Sequence, residues 1–358
     1  MNNIIEALKL RLQLLRCPFC NAETSSICID ATQEYLRCSV CQQSYPINAI
    51  GYISMLPDAM LNRKKKDIQN FWGDTCQEWY SELDRNLNRE LLYENLTELE
   101  RMFKYRKHLS VVEMNLADLK NKHILEIGCG GGGHSALFQR YGAHVTAIDI
   151  TEERVASTAL KLNLIKEGSG LALRADAENL PFLDNSFEII YSNGVLHHTE
   201  NTEKCVQEVS RVLQPQGKAI IMLYSRVSAY YLFNLLPRTI VTGMIFRYPE
   251  AERLGIMTEG KPKSGAKNPF TRVFSRKEII SLFKSFQMES LRKNGFFYSQ
   301  LPLIGKLRIP LLKALGKEPF PGGNIVYGAP FYAETGLELF LSPYLGFAWN
   351  IIVKKTVK

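Results

Sequence analysis

The stretch Leu125–Ile150, LEIGCGGGGHSALFQRYGAHVTAIDI, constrains the fold of this chain more than any other. An apolar run, KHILEIG, enters a turn of glycines around Cys129. GGHSALFQRYG then keeps helical spacing, and AHVTAIDI is a second apolar run that ends in an acid. This order reads as a βαβ unit, which requires a parallel sheet with helices covering it. Glycines in the first turn let a ligand approach the backbone with no Cβ in the way, and the start of the next helix adds its amides. Asp149 lies 21 residues after Gly128, where a carboxylate accepts from both ribose hydroxyls of an adenosine-bearing ligand. Gly128, Gly130 and Gly133 also satisfy G-x-G-x-x-G, so the glycines alone leave a nicotinamide dinucleotide open beside other adenosine cofactors.

Three features separate these readings. Glu126 precedes the first glycine, an acid that a dinucleotide turn does not need. LRADAENLPFLDNSFEIIYSNGVLHH places an acid after a third strand and then supplies a fourth. VQEVSRVLQPQGKAIIMLYSR reads as a helix, a turn and a fifth strand. Together, from about Leu119 to Arg226, these motifs resemble class I S-adenosylmethionine-dependent methyltransferases, near the ubiquinone/menaquinone-type small-molecule branch. The resemblance implies an α/β fold: a Rossmann-like seven-stranded sheet with helices on both faces. It also implies S-adenosylmethionine as cofactor. Gly128, Gly130 and Gly132 would face its methionine part, with Glu126 below the loop fixing the backbone. Asp149 would hold the ribose, Ile150 would lie against the adenine, Asp176 would accept from the adenine amino group and Ala177 would line that ring. Asn193 would touch the methionine end through its backbone. QPQG at Gln214–Gly217 departs from the family's usual Lys-Pro-Gly-Gly turn.

Methyl transfer from a sulfonium demands mainly in-line positioning of a nucleophile, with deprotonation where the acceptor needs it. His197 and His198 follow the fourth strand, at the carboxyl end of the sheet where ligands of such folds gather. They are the candidates to orient or deprotonate the acceptor, or else only shape the loop. His134, in the glycine loop, reads as a helix-start residue.

Ahead of this core, CPFC (Cys17, Cys20) and CSVC (Cys38, Cys41) form two C-x-x-C knuckles 17 residues apart. That spacing suits a four-cysteine site for structural Zn2+. Disulfides are disfavoured without an export signal, and redox-active pairs belong more naturally in a βαβ context. With SYPI and MLP following, the segment resembles the zinc ribbons of ribosomal RNA guanine methyltransferases and of small methyltransferase activator subunits. Cys28, Cys76, Cys129 and Cys205 show no such pairing and read as small buried residues.

At 358 residues, 46% hydrophobic and 22% charged, the chain reads as globular and longer than one domain. The expected organisation is a zinc-ribbon module at 1–60, a helical linker or cap over the crevice at 61–117 and the cofactor-binding core at 118–226. A lid or substrate segment follows at 227–274, then the C-terminal part of the core at 275–358 with an insertion at about 300–344. Trp72, Trp79 and Tyr80 read as packing residues and, secondarily, as lid candidates. The apolar run VSAYYLFNLLPRTIVTGMIF reads equally as a lid over an apolar acceptor or as a buried helix pair. SRKE at Ser275–Glu278 is a capping box opening a helix.

The start MNNIIEALKLRLQLLR lacks the pattern of a signal peptide. The later run YYLFNLLPRTIVTGMIF is broken by Pro237 and Arg238 short of the ~20 residues that span a bilayer. A cytoplasmic protein without a transmembrane segment is expected, with peripheral membrane contact left open. Residues 1–60 carry four basic against five acidic side chains, whereas 231–358 carry 19 Lys or Arg against eight Glu and no Asp. The basic last third would attract an anionic substrate, nucleic acid or lipid, or simply keep the surface solvated. A ribbon gripping RNA should itself be basic. The leading expectation is therefore methyl transfer to a small-molecule acceptor, lipid-like, sugar-linked or a natural product, that is apolar or anionic. An RNA (rRNA or tRNA) base methyltransferase is the alternative, and an NAD-dependent oxidoreductase the remote one.

Overall fold

A computed structural model describes residues 2–22, 26–104, 113–259 and 262–356. Parts of the expected cap (105–112) and lid (260–261) lie outside the described residues. The chain opens with α1 (Asn2–Lys9) and a small antiparallel sheet of β1 (Ile27–Ile29), β2 (Tyr35–Cys38) and β3 (Ser44–Pro46), followed by β4 (Tyr52–Ser54). Two long helices come next, α2 (Arg63–Arg85) and α3 (Arg89–Phe103). Asn62 and Asn88 cap them, each side chain accepting an amide of the first turn at 2.9 Å.

The core alternates β5 (His123–Ile127), α4 (Gly133–Arg140), β6 (His144–Asp149), α5 (Glu152–Leu164), β7 (Ser169–Arg174), β8 (Phe187–Asn193), α6 (Thr202–Val212) and β9 (Leu213–Tyr224). Helices α7 (Leu236–Val241), α8 (Glu250–Thr258) and α9 (Arg276–Leu282) lead to β10 (Gln287–Asn294). Ser275 and Glu278 form the capping box of α9. Between β10 and β11 (Ala348–Lys354) the chain inserts α10 (Arg308–Ala314), α11 (Asn324–Tyr327) and α12 (Gly336–Leu345).

The large sheet runs β10-β11-β9-β8-β5-β6-β7-β4. It is parallel from β9 to β4, and β11 is antiparallel to both its neighbours. Its central strands are apolar almost throughout because helices cover both faces. Strand order reverses at β5, so the crevice opens at the carboxyl ends of β5 and β8.

The sheet has eight strands where the sequence predicts seven. The addition is β4, which pairs parallel with β7, Tyr52 opposite Ala172, and covers an edge that would otherwise stand open. Residues 1–60 also pack onto the sheet: Leu8, Leu15 and Tyr45 share one apolar core with Leu173, Leu180 and Phe182. QPQG keeps a turn at the surface: Pro215 and Gln216 are exposed, and between the pairs Phe187–Leu213 and Ile189–Lys218 the ladder passes over all four residues. It belongs to β9, where Gln216 takes a φ of +64° and pairing with β8 shifts register between Phe187 and Ile189.

One side chain binds the N-terminal segment to the sheet. Arg11 is buried, and its guanidinium donates to Ala7 O at 2.8 Å, Thr146 Oγ1 at 3.0 Å, Val145 O at 3.1 Å and Ser169 O at 2.8 Å. The donor fork thus spans α1, β6 and β7 at once, a geometry that lysine cannot reproduce. Burial lowers its pKa to about 10, so it stays charged at neutral pH. Removing it leaves several buried acceptors without donors, at about 1–3 kcal/mol for each that water cannot reach. Arg11→Ala should therefore cost about 3 kcal/mol or more in urea unfolding, with Arg11→Lys recovering only part. Wild-type stability in both variants would show that the fork is dispensable.

Candidate active site and cysteine cluster

The turn after β5 is shaped by close approach. Gly128 has a φ of +76°, and a Cβ there would sit 2.2 Å from Val195 Cγ2. Gly128 N and Cys129 N donate to Ile148 O at 2.8 and 3.0 Å, folding the turn against the end of β6. Gly130 N then donates to Asp149 Oδ2 at 3.2 Å. The other oxygen, Oδ1, accepts from Thr151 N at 3.1 Å and Thr151 Oγ1 at 2.9 Å. Asp149 is thereby held in one orientation, and its two oxygens keep lone pairs for further donors.

These residues line one cavity of about 330 Å3. On its walls lie Glu126, Gly128, Gly130, Asp149, Ile150 and Asp176, together with Ala177, Asn193 and His198. Gly132 and His197 are not on the walls. Gly132, with a φ of +80°, starts α4 against Thr158, whose Cα would lie 2.7 Å from an added Cβ. His197 is fully buried, its ring 3.8 Å from that of Tyr224 and neither nitrogen hydrogen-bonded. Burial and the neighbouring His198 hold it neutral, with a pKa well below the usual value. Of the two candidate histidines, the structure brings only His198 to the cavity.

Glu126 lies beneath the turn, fully enclosed. It accepts from the hydroxyl of Ser135 in the first turn of α4, so it fixes the helix start more directly than the glycines. Burial, with a smaller contribution from the charge of Asp149, pushes its pKa up to about 8. His134 Nδ1 is 3.7 Å away, and burial lowers that ring to about 3.

Beyond the end of β7, Asp176 Oδ2 meets Lys65 Nζ at 2.5 Å, and the same ammonium lies 3.0 Å from Glu178 Oε2. Burial works against the charge on Lys65, but the Asp176 carboxylate outweighs it and raises the pKa. Lys65 belongs to NRKKKD, which reads in sequence as a charged break. Its only sign was Asn62, three residues earlier, a residue suited to cap a helix.

The remaining wall is aromatic. Trp72, Trp79 and Tyr80 of α2 line it, as do Phe297, Phe331 and Phe347 from the C-terminal segments. Tyr80 OH donates to Val326 O, and Asn193 Nδ2 donates to Tyr327 OH at 3.1 Å, so α2 and α11 meet over the crevice. The run expected as a lid contributes no lining residue between 227 and 258. Tyr231 and Leu235 pack on Leu254, Met257 and Val273, while Phe233, Ile240 and Val241 face outward. The run is thus neither a wall of the cavity nor a wholly buried pair.

Among these aromatics stands a polar group that sequence reasoning missed. Tyr224 OH donates to Glu259 Oε1 at 3.1 Å, and His198 Nε2 lies 3.7 Å from the same oxygen. Asn268 Nδ2, Thr271 Oγ1 and Phe270 O surround His198 Nδ1 at 3.0–3.2 Å. Nε2 is therefore the nitrogen turned to Glu259. Burial lowers the His198 pKa to about 4 and raises that of Glu259, although the Tyr224 hydrogen bond opposes the rise. No local motif marks Glu259, since it comes to the site from the end of α8.

Residues 125–221 match the family described as a methyltransferase domain. The match runs from within β5 to within β9, the core of the fold. Phosphoethanolamine N-methyltransferase 2 of Caenorhabditis elegans is 30% identical over 124 residues, 34% of this chain and 28% of that protein. Ubiquinone biosynthesis O-methyltransferase of Coxiella burnetii is 28% identical over 142 residues, 36% of this chain and 58% of that protein. Malonyl-[acyl-carrier protein] O-methyltransferase of Buchnera aphidicola is 34% identical over 120 residues, 34% of this chain and 46% of that protein. The chain thus spans only part of the length of these curated relatives, and the alignments rest on the methyltransferase core.

Outside that core, the Sγ atoms of Cys17, Cys20, Cys38 and Cys41 all lie within 4.8 Å of one another. Cys17 and Cys41 are 3.6 Å apart, and Cys20 and Cys38 are 3.7 Å apart. Four thiolates at about 2.3 Å from one tetrahedral ion sit about 3.8 Å from each other, so the set fits a zinc-sized ion. Tyr45 OH, 2.9 Å from Cys17 Sγ, supports the cluster from behind.

Glu126 gives a pH signature with a definite sign. The unfolded chain ionises this carboxyl near 4.5, whereas the folded chain keeps it protonated to about 8. Between these values the folded state binds more protons, so this group makes stability fall as pH rises. The melting temperature of Glu126→Gln, measured against wild type, should gain steadily from pH 5 to pH 8. Parallel melting curves would mean that Glu126 is ionised in the fold.

Proposed function

We propose that this chain is an S-adenosylmethionine-dependent methyltransferase acting on a small, largely apolar acceptor. The observation that carries the reading is that one cavity is lined by two unlike sets of residues, read here as its two ends. One end has the bare glycine turn with Asp149 and Asp176, and the other has an aromatic wall with Glu259, His198 and Tyr224. In this reading the ribose hydroxyls donate to Asp149, whose oxygens are already oriented. Ile150 and Ala177 flank the adenine, with Asp176 and Lys65 at its edge, and Gly128, Gly130 and Asn193 face the methionine part. The cofactor supplies an electrophilic methyl group. The protein's own task is to align the acceptor and to exclude water, which aromatic walls do well.

Glu259 is the residue assigned to take a proton from an acceptor hydroxyl or amine. Its raised pKa brings it nearer neutrality, where a general base works best. Tyr224 and His198 hold it in place. The names of the relatives, a phosphoethanolamine N-methyltransferase, a ubiquinone biosynthesis O-methyltransferase and a malonyl-[acyl-carrier protein] O-methyltransferase, support a small-molecule acceptor. The cysteine cluster is assigned one structural Zn2+, since four thiolates leave no open coordination position.

Asp149→Ala should weaken S-adenosylmethionine binding by about ten-fold or more in calorimetry, as expected for losing hydrogen bonds to a charged group. Unchanged affinity would remove the cofactor assignment. With methyl-labelled cofactor and cell extract, label should appear in a ribonuclease-resistant, small-molecule fraction, and Glu259→Gln should lower turnover by about 100-fold at unaltered cofactor affinity. Label lost on ribonuclease treatment would transfer the activity to RNA. Elemental analysis of protein purified without chelator should find one zinc per chain, and its absence would refute the ribbon assignment.

A further inference from the structure

Three segments outside the core present large apolar side chains to solvent. In the run 227–248, Val241 and Phe246 are 87% and 88% exposed; between 300 and 317, Leu303 is 95% exposed; on α12, Phe340 and Tyr344 are exposed as well. The segments are joined at their bases. Lys293 Nζ donates to Val227 O at 2.7 Å and to Tyr344 O, tying the start of the first to the end of α12. Arg308 of α10 grips Glu338 of α12 through two hydrogen bonds of 2.6 and 3.1 Å.

The charges on these segments have a single sign. Residues 231–249 contain Arg238 and Arg247 and no acid, and residues 300–317 contain Lys306, Arg308, Lys313 and Lys317 and no acid. The one acid of α12, Glu338, is buried against Arg308. Arg238, Arg247, Lys306, Lys313 and Lys317 are all exposed, and the one exposed acid that adjoins them, Glu318, follows Lys317, so solvent meets apolar side chains interspersed mainly with cations. An ordinary solvated face mixes both signs. A second copy of this surface would bring like charges together, and a nucleic acid would pair the cations while leaving Leu303, Val241 and Phe340 in water.

We propose that this surface docks on an anionic lipid bilayer, its apolar side chains entering the headgroup boundary and its cations facing lipid phosphates. No helix among the described residues is long and apolar enough to cross a membrane, so the protein lies on the surface. Residues flanking two of these segments line the cavity: Phe297 precedes the exposed stretch that holds Leu303, and Phe347 follows α12 by two residues. The surface thereby sets the acceptor end beside the lipid, where an apolar acceptor is concentrated. Docking is read without methyl transfer, so it stands or falls separately from the proposed activity.

Co-sedimentation of the full chain with vesicles tests this, using phosphatidylcholine alone and phosphatidylcholine mixed with phosphatidylglycerol. The wild type should bind the mixed vesicles, more weakly as salt rises, and bind the neutral ones far less. Leu303→Glu combined with Phe340→Glu should reduce binding by about ten-fold or more, and Lys313→Gln by about five-fold, at unchanged melting temperatures because all three side chains are exposed. Failure of the wild type to bind mixed vesicles, or equal binding by the Leu303→Glu/Phe340→Glu variant, would overturn the proposal. So would a lipid-free dimer in light scattering that Phe340→Glu abolishes, since the patch would then belong to a second copy.

Discussion

The site depends on one steric constraint at the point where strand order reverses. The loops leaving β5 and β8 approach until a Cβ on Gly128 would lie 2.2 Å from Val195, so only glycine turns there. That closeness brings the amides of Gly128 and Cys129 to the carbonyl of Ile148 and that of Gly130 to Asp149. The acid at the tip of β6 is thus oriented by the same turn that clears space for a ligand. A side chain at Gly128 would push the loops apart and undo both effects, however well the rest of the sheet were packed.

The cysteine-bearing segment is coupled to this site and is not an appendage. Asn179 Nδ2 donates to Pro18 O inside the first knuckle at 2.8 Å, and Arg16 N donates to Pro181 O at 3.0 Å. The loop so gripped begins at Asp176, which bridges to Asn179. A metal that locks the knuckle would therefore also steady Asp176 on the cavity wall, and β4 does the same for the edge of β7. Leu15, Tyr45 and Phe182 share one apolar core, which packs the cysteine-bearing segment against the sheet.

What the sequence made legible was whatever local pattern encodes. Glycines with positive φ, an acid ending an apolar run and paired cysteines each carry their geometry within a few residues, and the structure sets them where a βαβ unit and a four-thiol cluster require. The eighth strand was hidden because three residues, Tyr52–Ser54, are too short to show a period. Lys65, Glu259 and Tyr327 were hidden for a different reason: each reaches the cavity from a segment far away in sequence, and nothing around it announces a ligand. The paired histidines illustrate the limit most sharply. His197 and His198 are adjacent and chemically alike, and only the packing of Tyr224 decides that one is sealed in the core while the other faces Glu259.

The two ends of the cavity rest on different supports, and this has a physical consequence. The end with the glycine turn is made by the tips of parallel strands, each hydrogen-bonded on both sides. The aromatic end is carried by the insertion between β10 and β11, held by the buried pair of Arg308 and Glu338 and by Lys293 on the carbonyls of Val227 and Tyr344. A buried pair of this kind adds little net stability but strongly penalises any arrangement that separates its members. The insertion is thus specified in position without being welded to the sheet, so its side chains are free to differ while the donor cradle stays the same. The two sets of residues meet at Asn193, whose side chain donates to Tyr327, and through that bond a change in the aromatic wall would be felt at the end of β8.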